Sequence, residues 1–321
     1  MKKIGFFYLF ILFISCEKNE IPVAKHTMGE ILVQQINMSS DYSKQIFYST
    51  SENIIVSSNT KDTWDLAFRS SENSSEIIIN SSTFSQICEL EDHPFEDMIS
   101  TTNLLWKWDN PQGIYTETAL GIPKKTTTFV LDRGYNIDGT SRGYKKIKID
   151  SINNNSYIIT YANLDNSETQ NVSITKDSLF NYKYFSFTSN NIVNIEPKKN
   201  SWDLAFTQYT HLFINDTETP AYLVTGVLTN YLNNVMIAKD TINAFDSITI
   251  EMIESYVFSQ HQDAIGYNWK YYSFESQSYT VLSDINYIIK DISGRYFKMH
   301  FIDFYNDVGE KGYPKFEIQE L

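Results

Sequence analysis

Five histidines are the side chains in this sequence best suited to acid–base chemistry or metal binding, and they are scattered: His26, His93, His211, His261 and His300. A metal site needs His, Cys or carboxylate side chains clustered at ligand spacing, so this distribution predicts no clustered site. An iron porphyrin is a different case. One or two axial ligands from distant segments are enough to hold it, and His, Met and Tyr can all serve.

Motifs of common enzyme classes are scarce. The sequence contains no Gly-rich phosphate loop and no His-Glu-x-x-His pair. Asp65 and Asp203 each follow a Trp in the same five-residue sequence, but a catalytic acid or base needs a partner within reach, and none is visible. We therefore expect both carboxylates to make structural bonds to a neighbouring loop, and we expect no enzyme activity.

The sequence Trp-Asp-Leu-Ala-Phe occurs twice, at residues 64–68 and 202–206, which are 138 positions apart. The offset holds without a gap back to Tyr42 and Phe180, and 11 of these 27 aligned positions are identical. A later part of the repeat is weaker. This self-similarity indicates that the chain is a duplication, with a repeat as long as a whole domain.

The boundary between the copies is expected in a polar segment, residues 163–177, which carries no large apolar run. We place the cut near residue 170. The sequence therefore predicts two tandem modules, residues 29–170 and 171–321, of which the first has diverged further.

Composition predicts a mostly β protein with antiparallel sheets. Tyr (22) and Phe (21) are numerous while Gly (12) and Pro (7) are few, and aromatic residues favour strands. Apolar residues alternate in 202–206, which predicts that Trp202, Leu204 and Phe206 face one way. Residues 296–305 and 313–319 read as a closing hairpin. The best helix candidate, residues 247–256, is short.

The N-terminal residues have the pattern of a lipoprotein signal. Lys2 and Lys3 precede an uncharged apolar run, residues 4–14, and then Ser15 and Cys16, which resemble the lipobox of bacterial lipoproteins. The pattern predicts a signal peptide at residues 1–15, lipidation at Cys16 and a polar tether at 16–28. The protein is then expected to be lipid-anchored at the outer membrane or cell surface.

Two further features of composition narrow the options. Cys88 is the only other cysteine, so an internal disulfide is not expected in the mature chain. The net charge is −13, and nucleic-acid binding requires a positive surface, so no nucleic-acid partner is expected.

Together, the lipoprotein start, the Trp-Asp-Leu-Ala-Phe strand, Tyr222–Val227 and Phe301–Gly312 resemble the HmuY family of haem-binding surface lipoproteins. The resemblance covers residues 180–321 well and 29–165 in its frame only. It implies an all-β, non-catalytic protein that grips haem between two extended loops. It also implies haem or a haem-carrying protein as partner, and an outer-membrane receptor.

The resemblance also directs attention to the axial ligands. In family members one histidine follows a Trp-x-x-aromatic-Ser stretch, and the similar stretch here, residues 269–273, is followed by Phe274. No other ligand can be carried over. We take His261, in a polar loop, as the first substitute, with His211 and Met236 next, and place the haem site between Asn230 and Ser278.

Each of these residues also has an ordinary structural role available, as a solvated loop residue, a strand residue or core filling. Two other function classes therefore stay open. One is a surface lipoprotein that has lost haem ligation and binds a glycan or a partner protein through exposed Tyr and Phe faces. The other is a scaffold component of an outer-membrane assembly.

Overall fold

The computed structural model of the protein describes residues 27–123, 127–213, 216 and 220–321. The predicted signal peptide, Cys16 and all but the end of the tether lie outside the described residues. Within them, no helix is long and apolar enough to cross a membrane.

Strands dominate the described residues. The first ten are β1 (Leu32–Gln35), β2 (Lys44–Ser49), β3 (Ile54–Thr60), β4 (Leu66–Arg69), β5 (Ile77–Ile79), β6 (Gln86–Leu90), β7 (Thr128–Asp132), β8 (Tyr144–Ile152), β9 (Ser156–Ala162) and β10 (Gln170–Thr175). The others are β11 (Tyr182–Ser186), β12 (Asn191–Val193), β13 (Leu204–Leu212), β14 (Ala221–Thr229), β15 (Met236–Asp240), β16 (Lys270–Ser273), β17 (Ser278–Val281), β18 (Asn286–Lys290), β19 (Tyr296–Tyr305) and β20 (Lys311–Glu320).

The helices are short 3-10 turns: Ser81–Thr83, Tyr115–Glu117, Tyr231–Asn233, Phe245–Ser247 and Ile250–Ser255. The last two occupy the region of the helix candidate at residues 247–256, where β-branched residues disfavour a longer helix. Every strand pair is antiparallel, so the prediction of a mostly β, antiparallel protein is confirmed. The closing hairpin is β19 and β20.

Two sheets enclose the first core. One has the order β1-β20-β19-β18-β15 and the other β14-β13-β2-β3. Their inner faces bury a cluster that includes Leu204, Phe206, Trp269, Phe301 and Phe316. We call this part, β1–β3 with β13–β20, the flanking unit.

The other two large sheets enclose a second core. Their orders are β10-β9-β8-β7-β6 and β12-β11-β4-β5, and they bury a cluster that includes Leu66, Phe68, Phe129, Tyr157 and Phe185. We call β4–β12 the inserted unit, because in sequence it lies between β3 and β13. Each core is therefore one pair of sheets packed face to face.

The two sequence copies exchange a hairpin. Hairpin β2–β3 of the first copy pairs with β13 of the second copy, and hairpin β11–β12 of the second copy pairs with β4 of the first. A cut at residue 170 would separate hydrogen-bonded strands. The boundaries 29–170 and 171–321 therefore describe the repeat in sequence, and the sheets divide the chain differently.

Connection length explains this exchange. If β4 paired with β2 of its own copy, β3 and β4 would be parallel strands on opposite sides of β2, and parallel strands of one sheet need a crossover connection of about a dozen residues or more. Residues 61–65 between β3 and β4 are too few, so the hairpin pairs with the other copy.

The repeated tryptophans lie where the two units meet. Trp64 packs edge-on against Tyr184 and Trp202 against Phe47, each with ring centroids 4.9 Å apart. The six large apolar residues of the repeated sequence are all buried: Trp64, Leu66, Phe68, Trp202, Leu204 and Phe206. The prediction that Trp202, Leu204 and Phe206 share one face is wrong. Strand β13 begins at Leu204, and Trp202, which precedes the strand, packs in a third buried cluster together with Ala205.

Candidate functional site

The flanking unit contains an open cleft of about 640 Å³. This volume is in the range of small-molecule sites, roughly 300–1,000 Å³. Its walls are the outer ends of β13 and β14, the β16–β17 hairpin and two residues from elsewhere. The lining residues are Tyr42, Gln208, Phe213, Tyr222, Leu223, Val224, Thr225, Tyr267, Asn268, Lys270, Tyr271, Tyr272, Phe274, Tyr279 and Lys311.

The cleft depends on the length of one hairpin. Strands β13 and β14 have nine residues each, whereas their counterparts β4 and β5 in the inserted unit have four and three. The additional residues carry the part of the wall between Gln208 and Thr225. The inserted unit therefore lacks this wall, although it repeats the framework.

Aromatic rings dominate the surface of the cleft. Tyr222, Tyr271, Tyr272 and Phe274 are 59%, 52%, 40% and 87% exposed, although large rings are normally buried in a soluble protein. Tyr272 contacts Phe274 and Tyr279, with ring centroids 5.3 and 5.0 Å away. Clustered exposed rings mark a surface that stacks against a flat partner.

The charge of the cleft is opposite to that of the chain. Lys270 and Lys311 line it, and none of its described lining residues is Asp or Glu. Lys311 extends over the ring of Tyr42, 5.1 Å from the centroid. A chain with a net charge of −13 thus presents a locally positive, aromatic site that favours an anionic occupant.

Lys270 lies at the buried end of this surface and is 7% exposed. Its Nζ donates a hydrogen bond to the Thr225 carbonyl at 2.5 Å and lies 4.2 Å from the ring centre of Trp269. Burial lowers the pKa of Lys270 to about 7.

The three proposed axial ligands are not brought together in the cleft, since none of them is among its lining residues. His211 is nearest: its ring lies 5.1 Å from Phe213 and 5.0 Å from Tyr267, which both line the cleft. Its buried Nδ1 has no hydrogen-bond partner among the described residues, and burial lowers the pKa of His211.

The other two proposed ligands lie elsewhere. His261 is exposed in a turn, where its carbonyl accepts a hydrogen bond from Thr229 Oγ1 at 3.3 Å. Met236 begins β15 opposite Lys290 and is half-buried. Phe274, by contrast, does line the cleft, so the residue that follows the Trp269–Ser273 stretch faces this site.

The repeated aspartates make structural bonds, as expected. Asp203 is fully buried and accepts hydrogen bonds from Thr50 N (2.7 Å), Thr50 Oγ1 (2.8 Å) and Ile292 N (3.1 Å). Asp65 is also fully buried and accepts from Phe187 N at 2.7 Å. Each aspartate therefore holds the end of the hairpin that belongs to the other copy.

One stretch has the Gly-x-Ser-x-Gly pattern of a hydrolase nucleophile elbow, at residues 139–143. An elbow places its serine between a strand and a helix. Here the stretch lies in the turn between the antiparallel strands β7 and β8, and Ser141 Oγ accepts a hydrogen bond from Gly143 N at 3.1 Å. Its neighbour Arg142 binds Asp65, so the stretch is structural.

Metal binding by a cluster of side chains has no support in the described part of the chain, where no group of three or more His, Cys, Asp and Glu residues is placed to hold an ion. The polar side chains that line the cleft are phenols, amines, the amides of Gln208 and Asn268 and the hydroxyl of Thr225. Burial raises the pKa values of the Tyr42 and Tyr279 phenols, so both stay protonated at neutral pH.

Part of this chain matches a known protein family. Residues 178–318 match the family model described as HmuY protein, which confirms the resemblance for that part of the chain. The match spans β11–β20, and in the structure the first hairpin of that segment, β11–β12, is the one given to the inserted unit.

Solved structures that are similar to this chain include those of PinO and of an HmuY analog. Apo PinO from Porphyromonas gingivitis has 10% identity and a TM-score of 0.31, with 91% of this chain and 97% of that chain covered. The apo HmuY analog (TFO) of Tannerella forsythia has 16% identity and a TM-score of 0.24, with 50% and 88% covered. No curated protein matches the sequence significantly.

The histidines singled out in the sequence do not identify most of the residues that line the cleft. Its main residues are tyrosines, Phe274 and two lysines, spread over five segments of the chain. The sequence feature that could have identified these residues is the aromatic run at 269–274. Its apolar and polar residues alternate little, so several of its rings have no core to enter.

Proposed function

We propose that this protein is a lipid-anchored surface protein that binds haem or a related porphyrin in the cleft of its flanking unit, without altering it chemically. The aromatic, positively charged lining of the cleft carries this proposal. A porphyrin has a flat apolar ring and carboxylate side chains, so it complements exposed rings beside two lysines. The family match over residues 178–318 supports the same ligand class.

The ring and its carboxylates, more than the iron, supply the binding energy in this proposal. No His, Met or Cys is among the described residues lining the cleft, although His211 packs against Phe213 and Tyr267. Tyrosines do line it, but burial raises the pKa values of Tyr42, Tyr267 and Tyr279, which disfavours the phenolate form that binds iron. Metal-free protoporphyrin is therefore a ligand of the same cleft. The inserted unit lacks the long hairpin, so one ligand binds per chain.

Anchoring and partners complete the proposal. Cys16 carries the lipid, and residues 17–28 place the sheets away from the membrane surface. The cleft faces solvent on one side, so a haem-carrying protein or an outer-membrane receptor can exchange ligand with it.

Removing the exposed rings is expected to weaken porphyrin binding. Tyr222→Ala and Tyr272→Ala should each lower haemin affinity roughly two- to tenfold, since an aromatic contact contributes about 0.5–1.5 kcal/mol beyond its area. Absorbance titrations of each variant measure the change. Tyr135→Ala is the matched control, because Tyr135 is 52% exposed but lies in the inserted unit.

Equal affinity of all three variants and the parent protein would place the ligand outside this cleft. If none of the four proteins binds haemin, the ligand class itself is wrong. A glycan or a protein partner then becomes the occupant to test on the same tyrosines.

A further inference from the structure

The amine of Lys270 is a buried group of the flanking unit that uses only part of its hydrogen-bonding capacity among the described residues. An ammonium group has three donors. Among the described residues one acceptor is in place, the Thr225 carbonyl, while ring faces occupy the other sides: Trp269 at 4.2 Å, Phe304 at 4.7 Å and Tyr279 at 5.6 Å. The remaining N–H donors face these aromatic rings, which stabilise the positive charge of the ammonium only weakly.

Among the described residues, no carboxylate compensates the charge of the Lys270 ammonium. Burial is the only cause that lowers its pKa, and no acidic group shifts it in the opposite direction. The other charged and titratable groups among the described lining residues are Lys311 and six tyrosines, and burial raises the pKa values of three of these, Tyr42, Tyr267 and Tyr279. None of these groups supplies a negative charge near neutral pH.

We infer that Lys270 recognises a carboxylate of the ligand, and that binding of this carboxylate is coupled to uptake of a proton by the Lys270 amine. The inference rests on the proposed function and names the group that selects an acidic porphyrin. An ion pair in this position would give the ammonium its missing acceptor while Trp269 and Phe304 exclude water from it.

The proton balance has a definite sign. A bound carboxylate favours the charged amine and raises its pKa above the value of the free protein, about 7. At pH 8 most free amines are neutral, so binding takes up close to one proton from solvent. At pH 6 most are already charged, so uptake falls to about one tenth of a proton. Affinity therefore falls as pH rises above 7.

The test compares protoporphyrin with its dimethyl ester, which keeps the ring and removes both negative charges. The unaltered protein should bind the diacid at least tenfold more tightly than the ester at pH 6.5. Lys270→Met should lose most of this preference, and Lys311→Met, at the exposed side of the cleft, should lose less. Calorimetry in two buffers of different ionisation enthalpy measures proton uptake at pH 6 and pH 8.

Equal binding of diacid and ester, or the same proton uptake at both pH values, would overturn the role of Lys270 while leaving porphyrin binding intact. Failure of both ligands to bind would instead overturn the proposed function. The ester comparison and the calorimetry use the unaltered protein, so they decide the question even if Lys270→Met does not fold.

Discussion

Replacing Asp65 with alanine is expected to lower the free energy of unfolding by about 3–5 kcal/mol, the cost of leaving buried charges without their partner. Asp65 is fully buried, and its Oδ1 lies 2.9 Å from both Arg133 Nε and Arg142 Nη2. Both arginine side chains are at most 10% exposed. Urea unfolding followed by Trp fluorescence measures the loss.

The other sequence copy provides the control. Asp203 occupies the equivalent position but binds Thr50 and a backbone amide, with no arginine in its hydrogen bonds. Asp203→Ala leaves neutral donors unpaired, which costs about 1–3 kcal/mol. If Asp65→Ala costs no more than Asp203→Ala, the two arginines do not depend on the Asp65 carboxylate and the account of this cluster is wrong.

Introducing histidine at position 274 is expected to tighten haemin binding by at least about tenfold, equivalent to about 1.4 kcal/mol. Phe274 lines the cleft and is 87% exposed, so the substitution adds an imidazole to the cleft and leaves the core unchanged. An imidazole there can bond to the iron. The Soret band should sharpen and shift on titration of Phe274→His.

Two comparisons isolate the iron bond. Phe274→Ala removes the same ring without adding a donor, so it should bind haemin no more tightly than the parent protein. Metal-free protoporphyrin should not gain affinity from Phe274→His, because it has no iron. If Phe274→His leaves the haemin spectrum and affinity unchanged, position 274 does not face the bound ring.

Local patterns predicted the strands well. Alternation in residues 202–206 and 313–319 corresponds to β13 and β20, because one face of each strand enters the core. The alternation failed at Trp202, where the strand has not yet begun. A pattern of period two indicates a face only within the strand itself.

The hairpin exchange is not visible in the sequence of either copy. Hairpins β2–β3 and β11–β12 derive from the same repeat, so each has the pattern needed to pair with either β4 or β13. The choice depends on the length of the connections and on contacts made across copies, such as Trp64 with Tyr184 and Asp203 with Thr50. These contacts are non-local, and a local pattern does not contain them.

The cleft overlaps the segment in which the site is expected, between Asn230 and Ser278. That segment contributes Tyr267–Phe274, but Tyr42, Tyr222 and Lys311 come from other parts of the chain. Histidines were chosen as candidate site residues because they can bind iron. The aromatic residues of this segment are suited to cover a porphyrin face, but only exposure in the folded chain identifies Tyr271, Tyr272 and Phe274 as the rings that are available for binding.

The central claim is that one acidic porphyrin binds in the cleft and that iron is not essential. Parallel titrations of the purified protein with haemin and with metal-free protoporphyrin test it most directly, with absorbance and Trp fluorescence as readouts. The account predicts saturation at one equivalent for both ligands, with affinities within about tenfold of each other. No spectral change with either ligand, or saturation at two equivalents, would contradict it.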